Sequence, residues 1–113
     1  MKEISLEKPD IRKIKRIIKK IVDIFKPEKI ILFGSYAHEK PSEYSDVDIL
    51  VIMNTRKRTI RQAAEISRSI DHIFPIDIIV KRPEEIEWRI REGDSFFREI
   101  IEKGKVLYEK DNT

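Results

Sequence analysis

The stretch Lys29 to Met53, KIILFGSYAHEKPSEYSDVDILVIM, constrains this chain more than any other. An apolar run enters Gly34-Ser35, ten residues follow, and Asp46-Val47-Asp48 then opens a second apolar run. Residues at i and i+2 of a strand share a face, so the spacing predicts that Asp46 and Asp48 point the same way. A Gly-Ser turn brings backbone N–H groups close to an anion, and Gly34 has no side chain to obstruct one. The two halves of the stretch therefore read as a place for a hard cation beside a place for a phosphate.

Transfer of a nucleotidyl group needs both features. Divalent cations bind a triphosphate, stabilise the leaving pyrophosphate and acidify an attacking hydroxyl, and carboxylate oxygens suit Mg²⁺. Asp46 and Asp48 are the candidate ligands. Ser35 opens a short predicted helix, Ser35 to Glu39, and offers a hydroxyl beside exposed N–H groups. A third acid, Asp77, lies in the apolar run Pro75-Ile76-Asp77-Ile78-Ile79-Val80, where an unpaired charge is costly. If its strand neighbours that of Asp46, the three carboxylates form one cluster that cations would relieve. Asp77 then ligates a metal, accepts the proton of the attacking hydroxyl, or does both. Against this stands a plainer view, in which Gly-Ser and Asp-x-Asp are common pairs and a strand-end Asp caps a turn. The placement of all three acids in apolar strands favours the functional reading.

The rest of the chain frames this stretch. Ile11, Ile14, Ile17, Ile18, Ile21, Val22 and Phe25 recur at helical spacing between Pro9 and Pro27. Strands are expected at Lys29 to Phe33, Asp46 to Met53 and Ile76 to Val80. A second long helix is expected over Thr59 to Ile73, with Ile60, Ala63, Ala64, Ile66, Ile70 and Ile73 inward. Pro83-Glu84-Glu85 starts a helix that Gly93 ends, Asp94 or Ser95 caps another running to Lys103 before Gly104, and Lys105 to Tyr108 adds a fourth, edge strand. The fold class is thus α/β, a small mixed sheet of three to four strands flanked by helices. With 113 residues and 40% apolar content, the expectation is one domain over residues 1–113 with one modest core. Absence of cysteine excludes disulfides and thiol catalysis. No apolar segment approaches the length of a membrane span or a secretory h-region, so the expected location is the cytoplasm.

FGSYAHEKPSEYSDVDILV resembles the signature of the DNA polymerase β-like nucleotidyltransferases, and the short length resembles their minimal stand-alone branch, the MNT proteins. PIDIIVKRPEEI is similar to the third-carboxylate strand and following helix of these proteins, and SFFREIIEKGKVLYE to their C-terminal segment. The resemblance implies phosphate binding by Gly34 and Ser35, metal binding by Asp46 and Asp48, and the third acid at Asp77. It also implies one or two Mg²⁺ ions, ATP as substrate, and transfer of AMP to a hydroxyl. Because MNT proteins are paired with small all-helical HEPN toxins, it implies an antitoxin that adenylylates a toxin tyrosine, alone or as a homo-oligomer. His38-Glu39 departs from the family pattern, which has a basic residue and then Gly after Gly-Ser-Tyr-Ala.

Two other functions compete with that one. The chain neutralises its partner by stoichiometric contact, or it is a nucleotidyltransferase acting on nucleic acid, which the cations Arg12-Lys13, Lys15-Arg16 and Lys19-Lys20 support. That run is also explained as a solvated helix face. His38 is read as solvated in preference to phosphate-binding, and His72 as a helix-end residue suited to the helix dipole. Tyr36 serves packing or base stacking, and Trp88, Phe96 and Phe97 are read as core or subunit interface.

Overall fold

The computed structural model describes residues 9–38 and 46–111. Helix α1 (Ile11–Phe25) begins at Asp10, whose side chain accepts from the Lys13 backbone N–H at 2.9 Å, and ends where Lys26 takes a left-handed conformation. Strand β1 (Lys29–Phe33) follows, then a 3-10 turn over Gly34–His38, β2 (Val47–Ile52) and α2 (Thr59–Ser69). The chain continues through β3 (Ile76–Lys81), α3 (Pro83–Arg91), α4 (Ser95–Lys103) and β4 (Lys105–Glu109). Asp94 caps α4 by accepting from the Phe97 N–H at 3.1 Å, and Gly93, at φ +90°, closes α3.

The four strands form one mixed sheet in the order β3-β2-β1-β4. β1 pairs antiparallel with β2 and β4, and β2 pairs parallel with β3. Both faces are covered, which explains why the strands read as nearly continuous apolar runs. On one face Ile30, Leu32, Val47, Ile49, Val51 and Val80 pack with Ile14, Ile17, Ile18 and Ile21 of α1 and Ile66 of α2. On the other, Ile31, Leu50 and Ile52 pack with Ile86 of α3 and Phe97 and Ile100 of α4.

Three sequence expectations change. α2 stops at Ser69 rather than Ile73, because Ile70 is extended and side chains take up the last carbonyls. Ser69 Oγ donates to the Ile66 carbonyl at 2.8 Å, and His72 Nε2 meets the Ser67 carbonyl at 2.6 Å. His72 is therefore structural, as expected, but it acts from beyond the helix. Ile60 and Ala64 do not face inward: Ile60 is 79% exposed, since its stripe overhangs β3, which is an edge strand among the described residues. Gln62 is buried instead, bonded to Thr55 Oγ1 at 2.8 Å. Finally, of the three aromatics read as core or subunit interface, Phe97 is core, whereas Trp88 and Phe96 are about half exposed and are left with the interface alternative.

Candidate active site

Strand alternation sorts the carboxylates. In β2, Val47, Ile49 and Val51 point into the core under α1 and α2, so Asp48 shares the opposite face with Leu50 and Ile52. Parallel pairing sets Asp48 beside Asp77, and antiparallel pairing sets Phe33 on its other side. Phe33, Asp48 and Asp77 thus form a row across three strands, and Asp46, one residue before β2, is near enough for its charge to act on Asp48. The row lies at the end of the sheet where β1 finishes and β2 and β3 start.

Asp48 is the constrained member. It is partly buried, whereas Asp46 and Asp77 are exposed. Desolvation, followed by the charges of Asp77 and Asp46, pushes its carboxyl above the usual carboxylate range. Asp48 thus feels the charges of both other acids. The three do not converge fully: among the described residues, no three Asp, Glu, His or Cys side chains form a set that could hold a metal ion. As donors, the three carboxylates fit a hard divalent cation, being all oxygen.

Gly34 meets Asp48 from β1. It has φ +76°, a conformation L side chains rarely adopt, and a Cβ there would lie 2.5 Å from Asp48 Oδ2. The positive φ disfavours a side chain there, and the Asp48 carboxylate would have to turn aside to admit one. Ser35 is exposed beside it, and Tyr36 and Ala37 turn back into the core under α1. The expected short helix is thus a 3-10 turn over Gly34–His38. Glu39, and with it half of the His38-Glu39 departure, lies outside the described residues.

A cleft of about 340 Å³ opens on the other side of Gly34. Phe33, Phe96 and Ile100 supply its apolar wall, and His38, Glu99 and Lys103 its polar rim. The Phe96 ring meets Phe33 edge-on at 5.9 Å and Phe97 at 5.2 Å. Sequence reasoning, which read Phe96 as core or subunit interface, missed this wall; the available signal was weak, since adjacent residues on a helix diverge by about 100° and one of the two rings could face away from the core. His38, read as solvated, is exposed but lines the cleft.

Comparison with known proteins agrees with this fold. Residues 12–113 match the family described as Polymerase beta, Nucleotidyltransferase. A relative from Methanocaldococcus jannaschii named as a protein adenylyltransferase is 34% identical over 85 residues, covering 72% of this chain and 78% of that protein. A second from the same organism, named likewise, is 45% identical over 51 residues, covering 45% of this chain and 49% of its own length. The chain thus spans about half the length of several curated relatives it matches. Among solved structures, a nucleotidyltransferase from Sulfolobus solfataricus superposes with TM-score 0.63 at 19% identity, over 89% of this chain and 81% of that one. A toxin-antitoxin structure with AMP-PNP superposes with TM-score 0.56 at 21% identity, over 86% of this chain and 74% of that one. At these identities the superpositions establish the fold, and the family match does the rest: this chain belongs to the polymerase beta nucleotidyltransferase family.

Proposed function

We propose that this chain transfers AMP from ATP, with Mg²⁺, onto a tyrosine hydroxyl of a small all-helical HEPN toxin, acting as its antitoxin in the cytoplasm. The observation that carries this reading is the seating of Asp48 between Gly34 and Asp77, which sets a phosphate-accepting turn directly against paired carboxylates. The M. jannaschii relatives named as protein adenylyltransferases support the choice of a protein acceptor. The neighbouring toxin-antitoxin structure with AMP-PNP supports a toxin partner and the adenine nucleotide.

In this mechanism the Gly34-Ser35 turn receives the triphosphate on its backbone N–H groups and the Ser35 hydroxyl, because no side chain on Gly34 stands in the way. The cleft beyond Gly34 receives the nucleoside, with Phe96 as an apolar wall. Asp48 and Asp77, side by side in the sheet, would hold Mg²⁺ with Asp46 once the three side chains turn toward one ion, which would supply charge neutralisation for the phosphates and acidify the acceptor hydroxyl. The acceptor oxygen forms a bond to the α-phosphorus as the bond to the bridging oxygen breaks, and pyrophosphate leaves. Asp77, exposed at the open side of the row, accepts the hydroxyl proton.

Intact-mass measurement of the HEPN partner tests the reading. Incubation with a sub-stoichiometric amount of this chain and Mg–ATP should add one AMP to the partner and silence its toxicity. The Asp46→Asn/Asp48→Asn variant should add none and protect nothing. Protection by that variant at one chain per toxin, with no added mass, would replace catalysis by stoichiometric neutralisation. AMP found on RNA instead would assign a nucleic-acid acceptor.

A further inference from the structure

Charge is segregated between the two faces of the sheet. α1 and residues 55–69 together carry eleven Lys and Arg against two Asp and Glu, whereas the rest of the chain carries thirteen against nineteen. The modest net charge of +3 therefore conceals a strongly cationic region. α1 and α2 lie on the same side of the sheet and share one apolar cluster, so their outer surfaces make one face. The Asp48 row looks toward the other side, with Leu50 and Ile52.

Pairing differs in degree between the faces: Lys19 meets Asp23 and Lys57 meets Glu65 on the α1–α2 side, and Arg91 and Arg98 lack an ion-pair partner among the described residues on the other, but the cations of the α1–α2 side are the less fully paired. On the α3–α4 side, Glu85 bridges Lys81 and Arg89, Arg89 also meets Asp94, and Lys103 meets Glu99. On the α1–α2 side, Lys15, Arg16, Lys20, Arg58, Arg61 and Arg68 are exposed and have no ion-pair partner among the described residues. Like charges at i and i+4, such as Arg16 and Lys20, weaken a helix. The face therefore loses stability with no gain inside the molecule, which points to a gain outside it.

We propose that the α1–α2 face binds the phosphate backbone of double-stranded nucleic acid without regard to sequence. A protein-binding face would centre on a desolvated patch of aromatic and aliphatic anchors. Here the exposed large apolar residues, Ile11, Ile24 and Ile60, are confined to helix ends, the exposed Ala64 of α2 is small, and no exposed aromatic lies on either helix. Without aromatics there is no platform for unstacked bases, so a single strand gains little. Spaced cations suffice for a duplex backbone, where binding comes from counterion release. This face stands whether or not the carboxylate site transfers AMP.

Fluorescence anisotropy with a fluorescein-labelled RNA duplex of arbitrary sequence tests the proposal on the whole chain. Affinity should fall by about 100-fold between 50 and 200 mM salt and be indifferent to sequence. Arg58→Glu/Arg61→Glu/Arg68→Glu should bind at least about tenfold more weakly with a shallower salt slope. Arg91→Glu/Arg98→Glu/Lys110→Glu makes the same change in net charge away from this face and should bind as wild type. Circular dichroism checks folding, and Arg58→Gln/Arg61→Gln/Arg68→Gln stands in if the Glu variant does not fold. Binding that ignores salt, an unchanged α2 variant, or an equal loss in the control overturns the proposal. Displacement of the duplex by a poly-glutamate peptide of equal charge also overturns it, assigning the face to an acidic protein.

Discussion

Asp48 occupies the space that a side chain on Gly34 would need, its Oδ2 lying 2.5 Å from where a Cβ would stand. Turn and carboxylate are therefore mutually dependent. Gly34→Ala adds both a contact with Asp48 and a strained positive φ, and should cost about 1–3 kcal/mol. Urea denaturation in an Asp48→Ala background separates the two effects, since only the backbone strain then remains and the cost should fall. An unchanged cost would mean that the contact contributes nothing.

Asp48 is also the acid whose ionised form the fold disfavours, through desolvation and the neighbouring charges of Asp77 and Asp46. Asp48→Asn removes that charge without changing shape. In EDTA the variant should melt at a higher temperature than wild type, while AMP transfer falls to background. A lower melting temperature would show that the carboxylate is stabilised in the fold by something other than a cation.

Glu85 provides a test by pH. Burial alone would raise its carboxyl, but hydrogen bonds from Lys81 and Arg89 and their charges outweigh burial and hold it below the usual 4.5. Stability from a lowered pKa is full above the unfolded value and is lost as pH falls through the folded one. Glu85→Gln should therefore be less stable by up to about 1 kcal/mol at neutral pH. The difference should shrink below pH 4.5 and vanish once Glu85 is protonated in the folded state, as read from denaturation curves across the acid range.

Gly104 joins α4 to β4 where there is room for no side chain. A Cβ there would lie 2.5 Å from the Ile100 carbonyl oxygen, 2.5 Å from Ile31 Cγ2 and 3.0 Å from the Leu32 carbonyl oxygen. Two of these are backbone atoms that cannot rotate away. Gly104→Ala should cost about 1–3 kcal/mol by overpacking and disturb the cleft that Gly104 lines. A melting temperature equal to wild type would show that β4 shifts freely on β1.

Most of the fold was legible along the chain because the signals are local. The helical spacing of Ile14, Ile17, Ile18 and Ile21 needs only one apolar face, and those four residues are buried in α1. The strand at Lys29 to Phe33, the cap at Asp94 and the edge strand after Gly104 likewise stand where composition and turn chemistry put them. Local signals failed where a neighbour decides. Ile60 has the right spacing to be inward, yet among the described residues no strand lies beyond β3 to cover it. Ile73 continues the helical period, but Pro75 disfavours a helical Phe74 and the Ser69 and His72 side chains end α2 sooner.

By itself, then, the sequence determined the elements and the identity of the candidate residues: Gly34, Ser35, Asp46 and Asp48 lie within one short stretch whose spacing already implies a shared site. Tertiary structure alone decided the rest. Asp77 is 29 residues from Asp48, and only the parallel register of β2 on β3 sets them side by side; a slip of one residue would send Asp77 to the opposite face. Phe96 joins Phe33 at the cleft only because α4 packs across the end of β1. The cations of α1 and α2 make one face only because both helices cover the same side of the sheet. Spacing along a strand or helix is a property of the backbone, whereas the meeting of distant strands is decided by which packing buries the most apolar surface.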